Sequence, residues 1–428
     1  MKIYVELFKA LFSKYMFKEN NGTIVKRFAE NSGIAYIKLA QILSTLNFGN
    51  LFNEEDRIIL SSICDDCNPV DFKVIKKILK KEYGKNFRKI FKYIDEKPVG
   101  SASVSQVHRV VLMNGDEAVV KVKRIDVARD VDRDISLIKK FIYRYGKVFG
   151  FGNFKGANLV LDLYSSWILE EINFENEIKN IKRYSKYTND VNGKVFGTCK
   201  LMVPKVYEEY STANVIVMGF VRDKTINKLK LNSENKQKII YSINSYIELN
   251  FWAMFNDRPI CFHGDPHSGN LAIDDNGNLW FLDFGLLFVL SEEESRLCRD
   301  FFLTIYSGDY EKLYNMLIIY ADLNDLQKRE FKKNIKNYID FVKDKNVTHY
   351  FIDLISICLG FNFVPPSFFI NMAKAFICVY GICNYSDNDV GARELLKMQI
   401  LLFLIKKNVK NFIFDFEELY KFLNDFIC

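Results

Sequence analysis

Apolar residues recur at three- and four-residue spacing through residues 1–97, with breaks at Gly22, Gly33, Gly49 and Pro69, and this period predicts amphipathic helices. From Pro98 the period changes to two. A stretch of small residues, Gly100, Ser101, Ala102 and Ser103, leads into strands predicted at 109–112 and 118–123, joined by a turn at Asn114-Gly115. Val119 and Lys121 share one face of the second strand. Residues 161–184 return to a helical pattern and carry Glu170, Glu171, Asn173, Glu175 and Glu177. Residues 203–207 and 214–220 read as strands, the second ending in a hinge between lobes. Residues 221–262 return to helix, and beyond Gly285 the pattern is almost entirely helical, broken clearly at Pro365-Pro366.

The interval between those helical blocks holds the candidate chemistry. Residues 263–270 read His-Gly-Asp-Pro-His-Ser-Gly-Asn, a loop because Pro266 and Gly269 break helix and strand alike. Apolar runs at 271–273 and 279–282 flank Asp-Asn-Gly, a hairpin signal that sends Asn270 into the first strand and brings Asp283 out of the second. A tight hairpin brings its ends together. A carboxylate and an amide oxygen placed side by side are hard ligands for Mg²⁺, with Asp265 near enough to accept a proton from a nucleophile or to orient it. The small residues at 100–103 let backbone N–H groups approach phosphates. Helices, then a small sheet with one inserted helix, then a larger helical lobe outline an α+β, two-lobed kinase fold.

Composition narrows the class. At 428 residues and 49% hydrophobic content, the chain is expected to form two or three domains, and it is not a disordered protein. Its 60 Lys and Arg exceed 53 Asp and Glu by seven, which suits a protein that handles ATP or visits anionic membranes and gives no argument for nucleic acid. Nine scattered cysteines fit an intracellular, reducing compartment, cytoplasmic or organellar. Cys64 and Cys67 form a CxxC without a second pair, so zinc is disfavoured. Lys2, Glu6, Lys9 and Lys14 interrupt the N-terminal apolar residues, so no signal peptide is evident and an amphipathic helix is expected there. The apolar runs at 368–383 and 398–405 are interrupted by Lys374 or too short for a bilayer core of ~30 Å. A soluble or membrane-peripheral protein is the expectation.

Four motifs, in order, carry a resemblance. Lys38-Leu-Ala40-Gln41 lies on a helix where Lys38 and Gln41 share a face; next come Gly100-Ser-Ala102-Ser103 running into Gln106-Val-His108, Glu171-Ile-Asn173 with Glu177 downstream, and residues 263–270 with Asp283-Phe-Gly285. Three of the four histidines fall inside them. The sequence resembles the UbiB family of atypical kinase-like proteins, also called aarF-domain-containing kinases, over nearly its whole length. The family's Lys-x-Gly-Gln has Ala40 for Gly here, and its Glu-x-Asp has Asn173 for Asp.

The resemblance implies a division into a helical N-terminal extension over 1–97, a kinase-like N-lobe over 98–220 and a helical C-lobe over 221–428. It implies that Lys121, oriented by Glu177, holds the α and β phosphates of ATP, that Asn270 and Asp283 ligate Mg²⁺, and that Asp265 is the base or water-positioning carboxylate. The loop from Gly100 to Ser103 would cover the phosphates, and Val119 with Met218 would contact adenine. Lys38 and Gln41 would meet Glu171 and Asn173, forming a lid over the site where a protein substrate would lie. The family link implies restrained protein phosphorylation, ATP hydrolysis and a role in ubiquinone or related isoprenoid-lipid metabolism. An isoprenoid lipid or quinone precursor, peripheral membrane contact and a homodimer are its candidate partners; nucleic acid is not expected.

Two alternatives stay open at this point. Small-molecule kinases have a similar loop at 263–270 but lack the Lys38–Gln41 helix and the Gln106-Val-His108 segment. A nucleotide-responsive, non-catalytic scaffold of a lipid-modifying complex is the other.

Overall fold

The computed structural model of the chain describes residues 20–45, 54–61, 69–124, 127–145, 155–342, 345 and 347–385. The expected N-terminal amphipathic helix, Cys64, Cys67 and the run at 398–405 lie outside them. Helices α1 (Asn21–Ser32), α2 (Ile34–Thr45) and α3 (Glu54–Ser61) open the fold, and α4 (Phe72–Tyr83) and the single turn α5 (Phe87–Ile90) follow. Strand β1 (Phe91–Ile94) falls inside the stretch expected to be helical, so the sheet begins before residue 98.

Strands β2 (Gly100–Ser101), β3 (Ser105–Leu112) and β4 (Glu117–Lys123) continue from it. Three helices then come where one was expected: α6 (Val127–Tyr145), α7 (Lys155–Glu171) and α8 (Phe174–Val191). The helical run at 161–184 is split at Asn173, whose side-chain oxygen accepts the backbone N–H of Asn176 at 3.2 Å and caps α8. Of the strand expected at 203–207, the structure has β5 (Leu201–Met202) just before it and one bridge, between Val206 and Met218.

β6 (Val215–Gly219) completes a five-stranded antiparallel sheet of order β1-β3-β4-β6, with β2 on the edge of β3. Period-two alternation gives the sheet two different faces. Ala118, Val120 and Val122 point into a core with Ile75 and Leu79 of α4, whereas Val119 and Lys121 face the other way. Helix α4 therefore covers the back of the sheet and leaves the Lys121 face toward the second lobe.

That lobe is built on the long helix α9 (Ser233–Phe255). β7 (Ile260–His263) pairs with β10 (Leu287–Leu290), a strand within the stretch expected to be helical, and β8 (Leu271–Ile273) pairs with β9 (Leu279–Phe281) as the expected hairpin. Gly277 closes that hairpin at φ 78°, a conformation that costs an L side chain energy. Helices α10 (Glu292–Ser307), α11 (Tyr310–Ile318), α12 (Asp325–Val342), α13 (Val347–Gly360) and α14 (Ser367–Tyr385) follow among the described residues of the lobe. Phe251, Phe301, Phe302 and Phe351 are fully buried among them, each worth about 1.5–3 kcal/mol of burial. No helix among the described residues is long and apolar enough to cross a membrane.

Helix α2 belongs to the same continuous core as the C-lobe, through Ala35, Tyr36, Ile37 and Ala40 packed with Leu161, Tyr164 and Trp167. The Tyr164 hydroxyl donates to the Ala35 carbonyl and ties α2 to α7.

Candidate active site

The lysine of β4 is buried, and its ammonium donates to Glu177 Oε1 and to Asp283 Oδ2, each at 2.6 Å. Glu177 stands in the first turn of α8, and the same Oε1 accepts the Phe284 N–H at 3.2 Å, so one carboxylate joins the sheet, the helix and the segment after β9. Asn180, one turn further on, donates to the Phe284 carbonyl at 3.0 Å.

Two carboxylates share one ammonium here, and their environments separate them. Burial pushes the Glu177 carboxyl up to about 7 despite the attraction of Lys121, and its Oε2 is buried without a hydrogen-bond partner. The Asp283 side chain is 33% exposed. Burial opposes its charge, but Lys121 and the Gly285 N–H, which donates to Oδ1 at 3.0 Å, bring its carboxyl down to about 2. Lys121 itself is held above its usual range: burial works against the charge, and Asp283 and Glu177 outweigh it. Lys121 and Asp283 thus carry the fixed charges of the pair.

The loop between β7 and β8 is held by its histidines. His263 is buried; the Asp265 N–H donates to its Nδ1 at 3.2 Å, so Nε2 carries the proton and donates to the Asp283 carbonyl. Burial lowers its pKa and keeps the ring neutral in that tautomer. Tyr184, Phe281 and Phe284 pack around it with ring centroids 5.3–6.3 Å away. The Gly269 N–H donates to His267 Nδ1 at 3.1 Å, and Asn270 Nδ2 donates to the Asp265 carbonyl at 3.2 Å, which turns the amide oxygen of Asn270 away from the loop backbone.

Asp265 is enclosed. Its Oδ2 lies 3.9 Å from Lys38 Nζ and 3.9 Å from His267 Nε2, and Cys378 Sγ lies 3.7 Å from Oδ1. Burial raises its carboxyl, and the charges of Lys374, His267 and Lys38 more than reverse that, holding it well below the usual carboxylate range. Lys38 reaches Asp265 from α2 and pairs with Glu171 at 3.0 Å. Gly285 lets α7 close on the site: a Cβ there would sit 3.1 Å from Glu171 Cγ. Asn173 is exposed at its helix cap, away from this pair, and the side chain of Gln41 lies outside the described residues.

On the sheet, Val119 and Met218 are paired in register across β4 and β6, both buried, on the face that carries Lys121. Gly100 and Ser101 pair with Val107 and Gln106, and the turn through Ala102 and Ser103 is closed by the Ala102 N–H to the Ser105 carbonyl at 2.8 Å. Gln106 and His108 serve the sheet's support. The amide of Gln106 accepts the Val70 N–H at 2.7 Å and donates to the Val70 carbonyl at 3.0 Å, and it contacts His108 Nε2 at 3.0 Å. His108 Nδ1 meets the Asp95 carbonyl at 2.8 Å. They fasten the segments before α4 and after β1 to β3. Sequence reasoning missed Lys374 and Cys378; the one available signal was a lysine set in an otherwise apolar run.

A small antiparallel sheet bearing a lysine paired to a helix carboxylate, over a helical lobe bearing an Asp-Asn loop and an Asp-Phe-Gly segment, defines a protein-kinase-like protein with a helical N-terminal region. The profile of the ABC1 atypical kinase-like domain matches residues 62–317, more than half of the chain, and the chain belongs to that family, the aarF/UbiB kinase-like proteins. Among its relatives, Protein ACTIVITY OF BC1 COMPLEX KINASE 7, chloroplastic, of Arabidopsis thaliana is 28% identical over 392 residues, 86% of this chain and 53% of that protein. A probable protein kinase UbiB of Shewanella sp. (strain W3-18-1) is 28% identical over 375 residues, 84% of this chain and 66% of that protein. The chain thus spans about half to two thirds of the length of these relatives. The solved structure of Rv3197 from Mycobacterium tuberculosis, in complex with erythromycin, shares the fold at TM-score 0.52 and 16% identity, covering 93% of this chain and 98% of that one.

Proposed function

We propose that the protein is an atypical kinase or ATPase that binds Mg-ATP and transfers the terminal phosphoryl group, to water in preference to a protein hydroxyl. The observation that carries this reading is the ammonium of Lys121 set 2.6 Å from both Glu177 and Asp283 on the sheet face that also bears Val119 and Met218. An apolar platform for a base and a fixed cation for phosphates then lie on one surface. Asn270 and Asp283 supply the hard oxygen donors that suit Mg²⁺, the carboxylate being fully ionised; when bound, that ion neutralises charge on the phosphates. Lys121 binds and orients the α and β phosphates, Glu177 keeps Lys121 in place, and the turn at 100–103 covers the phosphates. Asp265 orients the attacking oxygen and takes its proton.

The helical lid supports the preference for water. Lys38 joins Glu171 and reaches Asp265, so α2 occupies the approach that an extended protein substrate would need. We further infer a role in ubiquinone or related isoprenoid-lipid homeostasis, supported by membership of the family and by the UbiB name of relatives. Calorimetric titration of Mg-ATP tests the nucleotide reading: saturable binding that is lost in Lys121→Ala is expected, and heat-silent titrations of the wild-type protein contradict it. Profiling isoprenoid quinones after deletion of the gene tests the pathway.

A further inference from the structure

Residues 73–92 hold nine Lys and Arg against one acid, an excess of eight, whereas the whole chain carries a net charge of +7. The positive charge of the protein is therefore gathered in this one stretch. Five of the nine, Lys73, Lys76, Lys77, Lys80 and Lys81, lie on α4, and all nine are exposed. None makes an ion pair among the described residues. The one acid, Glu82, is taken by the C-terminal side of the sheet: its oxygens accept the Thr212 hydroxyl and the Asn214 amide, each at 2.9 Å. The flanking carboxylates are committed too. Asp71 accepts the Lys73 N–H at 2.8 Å as the cap of α4, and Asp95 accepts the Tyr93 hydroxyl at 2.8 Å.

The fold itself does not ask for this arrangement. Ile75 and Leu79 seat α4 on the sheet, and the outward positions are free to be any polar residue. Lysines one turn apart, at 73 and 77, 76 and 80, and 77 and 81, repel one another and weaken the helix, where carboxylates in alternation would support it. Beyond α4 the charge continues through Lys85 to Arg88 and Lys89 of α5 and Lys92 of β1. The rings of Tyr83 and Phe87 lie 5.3 and 5.6 Å from that of Phe91 and gather these elements into one corner. Two apolar side chains stand in water at the same corner. Tyr93 of β1 is 57% exposed, and Met113, whose N–H donates to the Ile90 carbonyl at 3.0 Å, is 56% exposed.

We propose that this face, α4 with the corner of α5 and β1, docks on an anionic lipid bilayer, its lysines against the headgroups and Tyr93 with Met113 inserted among them. Charge complementarity carries the first half. Eight of the nine cations are lysine, a compact charge on a long apolar stem that suits a diffuse negative surface, whereas the planar fork of arginine suits the fixed phosphates of a nucleic acid. The exposed tyrosine and methionine carry the second, because a bilayer has an apolar interior to receive them. Helix α4 covers the back of the sheet and Lys121 faces the other way, so docking leaves the nucleotide surface uncovered. The proposal does not depend on what that surface binds.

Co-sedimentation of the full chain with phosphatidylcholine vesicles, with and without phosphatidylglycerol, tests it. Binding is expected only when phosphatidylglycerol is present, at about 0.05 M salt, with release at about 0.5 M. Changing Lys76, Lys77, Lys80 and Lys81 together to Gln is expected to weaken partitioning roughly a hundredfold, with Tm at or above the wild-type value because repulsion is relieved. The same four changed to Arg should bind like wild type. Tyr93→Ser with Met113→Ser keeps every charge and should bind roughly tenfold more weakly. Absence of wild-type binding to the anionic vesicles, a Gln variant or a Ser variant that binds like wild type, or an equal loss when Lys328, Arg329, Lys333 and Lys336 of α12 are changed to Gln would each overturn the proposal. Tighter binding to a duplex oligonucleotide than to the vesicles would assign the face to nucleic acid and overturn it as well.

Discussion

Lys121 and Asp283 stand 162 residues apart in the chain and meet at 2.6 Å, the ammonium on β4 of the sheet and the carboxylate just after the β8–β9 hairpin. Their pairing couples the two lobes at the point where phosphate chemistry is expected, and Lys121 donates to Glu177 as well, whose Oε1 also accepts the Phe284 N–H.

Glu177 makes the fold sensitive to pH. Its carboxyl is raised from 4.5 to about 7 by burial, so between those values the folded protein holds a proton that the unfolded chain has released. That contribution to stability is fully present below the lower value and is lost as pH rises through the upper one. Tm of the wild type should therefore carry a downward component between about pH 4.5 and 7, and Glu177→Gln, which keeps the neutral form, should flatten it. A variant with an unaltered Tm profile would contradict the assignment.

The lid should loosen when its ion pair is broken. Lys38→Met and Glu171→Gln each remove one end of the 3.0 Å contact, at an expected cost of roughly 1–3 kcal/mol, and the double variant should cost little more than either single one. Hydrogen exchange of the α2 amides over residues 35–40 reports it; unchanged protection in both variants would count against a clamp.

Gln106 is expected to matter for stability and not for chemistry. Gln106→Leu leaves the Val70 N–H and carbonyl and one nitrogen of His108 without their partner, a loss of about 2–4 kcal/mol. Denaturant unfolding should register it while KM for ATP stays near the wild-type value.

What was legible in the sequence was what short-range pattern encodes. Asn114-Gly115 and Asp275-Asn276-Gly277 announced two hairpins because both need turn residues tolerant of positive φ, and the period-two strand put Val119 and Lys121 on one face. Asn173 looked like a helix interior residue, yet a short polar side chain at a chain bend serves better as a cap, and the predicted helix ends there. β1 was hidden because Phe91 and Ile94 also satisfy a helical period. Lys374 and Cys378 could not be placed at all, since no local pattern says which distant residue a helix face will meet.

The central claim is that Lys121 and Asp283 form a working nucleotide site, and steady-state ATP hydrolysis by the wild-type protein beside Lys121→Ala and Asp283→Asn tests it most directly. A drop in kcat/KM of roughly a hundredfold or more in each variant, with Tm of the folded variants still well above the assay temperature, is the predicted result. Turnover by both variants at the wild-type rate would contradict the account.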